Sequence, residues 1–320
     1  MDTPVLFLIF NRPDTTIEVF EAIRKEKPKK LFIAADGPRS NRETDIILCK
    51  KTRDIVKNID WECEVKTLFR DKNLGCKIAV SLAITWFFEN VNEGIILEDD
   101  CFPNKSFFTF CECMLERYRD EEKIGMISGD NFVPEEILNK IDPNSSRYYF
   151  IRPTYLWGWA TWKRAWAKYD LEMKDWPKVK KDDFLYKIFK NRNVSMFYSD
   201  IFQMTYDGRA TTWDPQWFLS SLLNNMLCII PPRNLISNIG IVGEHSNKAG
   251  SFNKMSTNFF LIENLKHSKT ISPDIEIENV MFLNTRINTF NLRIYMIRVL
   301  DFLRLHHITS ILYRKFKFKF

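Results

Sequence analysis

Short apolar runs alternate with amphipathic stretches through the first 130 residues. Runs at 5–10, 31–35, 64–69 and 95–97 predict strands, of which the first is a buried strand, and the stretches between them predict helices. Strand and helix alternate at roughly 30-residue spacing, which predicts right-handed crossovers and a mostly parallel sheet. The expected fold class is therefore α/β, with helices flanking a central sheet.

Polar loops follow these four strands, and ligands of such sheets bind outside the carboxyl ends of the strands. The loops read NRPD (11–14), DGPR (36–39), RDKNLG (70–75) and EDD (98–100). A guanidinium group matches phosphate oxygens, and a carboxylate accepts hydrogen bonds from a nucleobase or a ribose hydroxyl. Surface ion pairs are the alternative role for each residue. The candidate nucleotide contacts are Arg12, Asp36, Arg70 and Asn73.

Three adjacent carboxylates, Glu98, Asp99 and Asp100, come directly after the fourth strand. They repel one another unless a cation neutralises them, and oxygen ligands suit Mg²⁺ or Mn²⁺ bridging to a diphosphate. A solvated acidic turn is the alternative, but the position after a buried strand favours a metal site. The glycine-rich phosphate motifs of dinucleotide-binding folds and P-loops do not occur in the sequence.

Seven of the nine tryptophans lie between residues 157 and 217. Aromatic faces stack on the C–H faces of sugar rings, so Trp157, Trp159 and Trp213 are candidate sugar or acceptor contacts. Packing in a core is the alternative for all three.

Asp214 lies between two tryptophans in the segment WDPQW. Partial desolvation there raises the pKa of a carboxylate and makes it a better general base, while capping of the following helix is the alternative role. His245 lies in the polar loop GEHS. A metal ligand, a phosphate contact and an exposed histidine are its alternatives.

The C-terminal residues 286–320 form a basic tail with eight Lys and Arg residues and one acid. Most of the net charge of +6 lies there, so the rest is near neutral, which argues against nucleic-acid binding. Apolar residues at helical spacing predict an amphipathic helix suited to an anionic membrane surface, and packing on protein is the alternative. Residues 256–285 are predicted to be a linker.

The N-terminal apolar run has only six residues, and the sequence contains no apolar span long enough for a membrane helix. Seven cysteines at irregular spacing form no disulfide framework. These features predict a cytoplasmic protein that is peripheral on the inner face of the cell membrane.

Taken together, the motifs resemble those of the GT-A glycosyltransferases. In order along residues 4–250 they are PVLFLIFNRPD, IAADGPR, RDKNLG, GIILEDDC, WGWATWKRAW, WDPQW and GEHS. More narrowly, they resemble the bacterial relatives of the N-acetylglucosaminyltransferase I group, which share the EDD form of the DxD motif. The resemblance implies a GT-A domain over 1–255, with a nucleotide-binding half at about 1–130 and an acceptor half at about 131–255.

The resemblance also implies residue roles. Asp100 would bind Mn²⁺ or Mg²⁺ on the donor diphosphate, and Asp214 would be the catalytic base. WDPQW has one acid where the family segment has two, which leaves the acceptor contacts open. The residues implied to lie around the donor are Arg12, Asp36, Glu98, Asp99 and His245.

The implied activity is inverting, metal-dependent transfer of a sugar from a UDP-sugar, with UDP-GlcNAc as the candidate donor. The acceptor would be a hydroxyl of a glycan or a lipid-linked sugar in cell-surface polysaccharide synthesis. A sugar nucleotidyltransferase is one alternative, although NRPD lacks the glycine-rich phosphate loop that it requires. A non-catalytic sugar-binding protein on the same fold is the other.

Overall fold

An α/β fold organises the residues that the computed structural model describes, which are 1–240, 257–258 and 260–284. The strands are β1 (Val5–Ile9), β2 (Lys30–Ala35), β3 (Glu64–Phe69), β4 (Glu93–Glu98), β5 (Cys101–Pro103), β6 (Ile124–Ser128), β7 (Tyr149–Ile151), β8 (Trp159–Trp162), β9 (Leu227–Ile230) and β10 (Ile236–Asn238). The helices are α1 (Pro13–Glu26), α2 (Glu43–Ile55), α3 (Gly75–Asn90), α4 (Lys105–Arg117), α5 (Glu135–Ile141), α6 (Lys163–Trp166), α7 (Trp176–Lys181), α8 (Phe184–Phe189), α9 (Arg192–Tyr206), α10 (Asp214–Leu223) and α11 (Ile275–Asn284). A 3₁₀ turn covers Ile262–Asn264.

The central sheet has eight strands in the order β3-β2-β1-β4-β8-β6-β9-β7. Strands β3, β2, β1 and β4 run parallel to one another, and β6 runs parallel to β9. Strand β8 runs antiparallel between β4 and β6, and β7 runs antiparallel along β9. The predicted α/β fold with a mostly parallel sheet flanked by helices is therefore confirmed, and the two antiparallel strands are additions to the prediction.

Both faces of the sheet are covered, and β1 shows how. Val5 and Phe7 join the core formed with α1 and α4, whereas Leu6 and Leu8 join the opposite core formed with α3 and α10. Successive side chains of a strand point to opposite faces, so a strand covered on both sides is apolar throughout. Each large apolar side chain buried in this way contributes about 1.5–3 kcal/mol to stability.

The segment predicted to be a linker, 256–285, is packed where the structure describes it. Ile277 and Met281 of α11 are buried against one face of the sheet. Glu278 is 1% exposed and accepts hydrogen bonds from the backbone N–H and the guanidinium of Arg152. The domain boundaries themselves stay predictions, and the tail 286–320 lies outside the described residues. Within those residues, no helix has the length and apolarity needed to cross a membrane.

We predict that Glu278→Ala destabilises the protein by about 3 kcal/mol, because breaking a buried ion pair leaves Arg152 without its partner. Chemical denaturation followed by far-ultraviolet circular dichroism measures the change. Glu276→Ala is the matched control, since Glu276 is exposed on the same helix. Equal stability of the two variants would contradict a role for the ion pair in holding α11.

Candidate functional site

The acidic triplet lies where the carboxyl ends of β1 and β4 meet. These strands are adjacent and parallel, with Leu8 opposite Glu98. The backbone N–H of Phe10 donates to Asp99 Oδ2 at 2.9 Å. The Arg12 guanidinium contacts Asp99 Oδ1 at 3.4 Å and also pairs with Asp100. The structure thus brings together Arg12 and the three acids, as the strand-end argument predicts.

The triplet carries more negative charge than Arg12 neutralises. The side chains of Asp99 and Asp100 are only 8% and 14% exposed. Burial, followed by the charges of Asp100 and Asp99, raises the pKa of Glu98. Burial also raises the pKa of Asp99, against the opposing effect of Arg12. A second cation at this position would be attracted by the uncompensated charge.

The Asp36 carboxylate holds the loop 70–75 in position. It accepts hydrogen bonds from the backbone N–H groups of Gly37, Leu74 and Gly75 at 2.9–3.1 Å. It also accepts from the Asn73 side-chain amide at 2.9 Å. Asp36 therefore satisfies donors at the start of α3 from a neighbouring loop, and Asn73 is part of the same contact rather than a free side chain.

Arg70 presents a half-buried guanidinium at this edge of the sheet. It donates to the Ala79 carbonyl at 3.3 Å. Burial lowers the pKa of Arg70, against an opposing effect of Asp36. Within the part of the chain that the structure describes, no ion pair engages this guanidinium, so it is available to an anionic ligand.

Asp214 lies close enough to the acidic triplet for the two to interact electrostatically. It is the first residue of α10, half-buried, and burial raises its pKa. Its charge contributes to the raised pKa of Glu98. Glu98 and Asp214 also interact with the Cys76 thiol at the start of α3. The pKa of this thiol is raised to about 12, mainly by burial. Cys76 is nevertheless exposed to solvent, and its interactions place Glu98, Asp214 and the start of α3 near one another.

The helix-capping alternative for Asp214 does not apply. The cap residue of α10 is Trp213, and it makes no side-chain capping hydrogen bond. Asp214 instead accepts a hydrogen bond from the Thr212 hydroxyl. A negative charge in the first turn of a helix is favoured by the helix dipole, which helps to keep this carboxylate ionised.

The structure corrects the role of two of the predicted sugar-contacting tryptophans. Trp159 and Trp213 are 1% and 3% exposed, and their rings stack on each other at 5.7 Å. Neither ring has a free face for a sugar, so both are core residues. Trp157 is half-buried, and its backbone N–H donates to Asp130 at 3.0 Å. Trp157 remains the candidate sugar contact.

Asp130, which the sequence reasoning missed, lies behind Trp157. It is fully buried, its Oδ1 has no hydrogen-bond partner, and burial raises its pKa to about 7. The signal was present, since Asp130 follows strand β6, but only the loops after the first four strands were considered. Cys76 was missed because a lone cysteine carries no motif. His245 lies outside the described residues, and its role stays a prediction.

A divalent cation fits beside Asp100 if its ligand supplies most of the coordination. Within the described residues, no group of three or more His, Cys, Asp or Glu side chains could hold a metal by itself. Gly240 passes so near Asp100 that an added Cβ would lie 2.9 Å from the Asp100 Cβ and nearer still to Oδ2. The missing side chain leaves space at the carboxylate. Mg²⁺ is commonly held by one or two carboxylates together with substrate phosphates, and the Asp100 carboxylate is a ligand of that kind.

No known protein family matches the sequence, and no curated protein matches it significantly. Similar solved structures include HddC from Yersinia pseudotuberculosis, with 12% identity over 36% of this chain and 55% of that chain and a TM-score of 0.26. UDP-glucose pyrophosphorylase complexed with UDP-glucose has 14% identity over 49% and 64% and a TM-score of 0.26. Apo mouse xyloside xylosyltransferase 1 has 10% identity over 69% and 81% and a TM-score of 0.33. The chain thus spans less than two thirds of the first two structures, and similarities this distant assign no function.

We predict that Asp36→Ala lowers the free energy of unfolding by about 1–3 kcal/mol, because the N–H groups at the start of α3 lose their acceptor. Thermal or urea unfolding measures the loss. Asp71→Ala is the control, since Asp71 is exposed in the loop that Asp36 holds. An Asp36 variant as stable as the control would mean that the carboxylate serves a ligand and not the loop.

Proposed function

We propose that this chain is an inverting, metal-dependent glycosyltransferase that moves a sugar from a UDP-sugar to a hydroxyl of a glycan or a lipid-linked acceptor. The observation that carries the proposal is that the acidic triplet and Asp214 lie within electrostatic range at the carboxyl edge of the sheet, where the donor would bind in a cleft. The sequence resemblance to the N-acetylglucosaminyltransferase I group favours UDP-GlcNAc as the donor.

The nucleotide side of the cleft combines cations with a fixed loop. Arg12 and Arg70 are suited to the phosphate oxygens of the donor, since a guanidinium binds such oxygens with two parallel hydrogen bonds. The loop 70–75, held by Asp36, would border the nucleoside, and Glu98 and Asp99 would lie by the ribose and the sugar. Asp100 would hold Mn²⁺ or Mg²⁺, which when bound stabilises the negative charge of the departing diphosphate.

Asp214 is the proposed general base. Its carboxylate takes the proton of the acceptor hydroxyl while the hydroxyl oxygen bonds to the anomeric carbon. The bond between that carbon and the diphosphate oxygen breaks at the same time, and UDP leaves with the electron pair. Attack from the face opposite the leaving group inverts the anomeric centre. The raised pKa of Asp214 suits this role, because a base with a higher pKa takes the proton more readily.

The acceptor side is proposed from fewer contacts. Trp157 is the one predicted sugar-contacting tryptophan that is not buried. The basic tail 286–320 would hold the enzyme at an anionic membrane surface, where each Lys or Arg contributes about 1 kcal/mol. That placement suits a lipid-linked acceptor at the inner face of a cell membrane.

The proposal predicts that Asp100→Ala weakens Mn²⁺-dependent UDP binding by at least about 100-fold, because even indirect contacts to a metal are worth 10–100-fold in affinity. Isothermal titration calorimetry of UDP with and without Mn²⁺ measures the change. Asp120→Ala is the control, since Asp120 is exposed in the turn between α4 and β6. If Mn²⁺ still increases the UDP affinity of Asp100→Ala as much as that of the wild-type protein, the assignment of Asp100 as the metal ligand would be contradicted.

Asp214→Asn is expected to retain UDP-sugar binding and to lose turnover by about 10²–10⁴-fold, the usual contribution of a general base. UDP released from UDP-GlcNAc with water or a simple alkyl glycoside as acceptor measures turnover. Asp207→Asn is the control, since Asp207 ends the preceding helix on the surface. A fully active Asp214→Asn enzyme would contradict the base role.

The products distinguish the proposal from its alternatives. Released UDP supports sugar transfer, whereas pyrophosphate formed from UTP and a sugar 1-phosphate supports a nucleotidyltransferase. Binding of UDP-sugar without either product supports a sugar-binding protein.

A further inference from the structure

The Asp214 carboxylate is held at one of its two oxygens. The Thr212 hydroxyl donates a hydrogen bond to Asp214 Oδ1. No other residue in the described ranges donates to Oδ2, and the carboxylate keeps some exposure to solvent. The two oxygens are therefore not equivalent, and only Oδ2 is open to a ligand.

The position of the Thr212 hydroxyl is set by the fold and not by Asp214. The Thr212 carbonyl accepts a hydrogen bond from the Gln216 side chain at 3.1 Å. The next carbonyl, that of Trp213, accepts from the Tyr169 hydroxyl at 3.2 Å. The Trp213 ring is fixed by its stacking on Trp159. Because these contacts fix the chain from the Thr212 carbonyl through Trp213, the hydroxyl contact restrains the rotation of the Asp214 side chain.

The groups around Asp214 determine how strongly the Thr212 hydrogen bond affects the ionisation of the carboxylate. Burial raises the pKa of Asp214, and hydrogen bonds from the Thr212 hydroxyl and, to a smaller extent, from the Asp214 backbone N–H oppose that rise. Glu98 at the end of β4, the Cys76 thiol of α3 and the Tyr169 hydroxyl also interact with Asp214. Glu98 is a like charge, and neither Cys76 nor Tyr169 is positive. The Thr212 hydroxyl is thus a principal stabiliser of the ionised form.

We propose that Thr212 is a positioning residue for the reaction, which holds the Asp214 carboxylate through Oδ1 so that Oδ2 accepts the proton of the acceptor hydroxyl. This inference rests on the proposed function of Asp214 as the base. Thr212 touches neither donor nor acceptor in this account, and its effect is exerted through Asp214.

Thr212→Val and Thr212→Ser test the proposal, because valine keeps the shape of threonine without the hydroxyl, and serine keeps the hydroxyl. In Thr212→Val, the pKa of Asp214 should rise by about one unit, since a hydrogen bond to the charged form is lost. A base with a raised pKa is ionised only at higher pH, so the acid limb of the kcat profile should move upward by about one pH unit. Below that limb kcat should fall about 10-fold, with KM for UDP-GlcNAc unchanged.

Thr212→Ser should keep the wild-type profile. The melting temperature and the UDP affinity of both variants distinguish a change in the pKa of Asp214 from a loss of folded structure. A Thr212→Val enzyme with the wild-type profile, or a Thr212→Ser enzyme that behaves like Thr212→Val, would overturn the proposal.

The titration of Asp214 itself separates this inference from the proposed function. Carbon-13 NMR of aspartate-labelled protein follows the carboxyl, which is assigned by its loss in Asp214→Asn. A shifted titration in Thr212→Val together with an inactive wild-type protein would leave the contact established and would overturn both the proposed transferase function and the positioning role that rests on it. An unshifted titration in an active enzyme would overturn the Thr212 role alone.

Discussion

The site depends on the repulsion among three consecutive carboxylates at the end of a buried strand. Asp99 is almost fully enclosed, and burial raises the pKa of both Glu98 and Asp99. Although burial acts to lower it, the pKa of Arg12 is raised by Asp99 and Asp100, so the guanidinium stays charged and partly compensates them. The raised pKa values mean that burial opposes full ionisation of the three acids beside one guanidinium. A dication with a diphosphate ligand would favour their ionised forms and balance the excess negative charge.

The parallel strands assemble the other parts of the site around this charge. Because β1 and β4 are neighbours with the same direction, the loop that carries Arg12 meets the acids. Strand β2 lies on the other side of β1, and its loop carries Asp36, which fixes the start of α3. The site thus consists of side chains from separate loops that are held by the sheet and by one another. Thr212 adds a further contact of this kind, since its hydroxyl donates a hydrogen bond to the Asp214 carboxylate.

Much of the first half of the fold could be predicted from the sequence because β1, β2 and β4 contain apolar runs and α1 is amphipathic. Strand β3 was predicted with the bounds it has, and β1, β2 and β4 within a few residues. The common edge of the strands also predicted that Arg12 meets the acidic triplet. These features depend on local periodicity and on one topological rule.

The second half depends on contacts between distant residues, which sequence patterns do not reveal. The aromatic segment before α6 contains two short antiparallel strands, and Trp159 of that segment packs against Trp213 and Trp217. Asp36 looked like a ligand contact because its partners at 73–75 come from another loop. The segment 256–285 looked like a linker because the residue that anchors it, Glu278, pairs with Arg152, which is 126 positions away.

A thermal-shift panel of nucleotide sugars, with and without Mn²⁺, tests the central claim most directly. The panel needs UDP-, GDP-, CMP- and dTDP-sugars, the wild-type chain and Asp100→Ala. The account predicts that UDP-sugars raise the melting temperature of the wild-type chain more than the others do, and only when Mn²⁺ is present. It also predicts no Mn²⁺-dependent rise for Asp100→Ala. Stabilisation by UDP-sugars that is independent of Mn²⁺ and of Asp100, or the absence of any stabilisation, would contradict it.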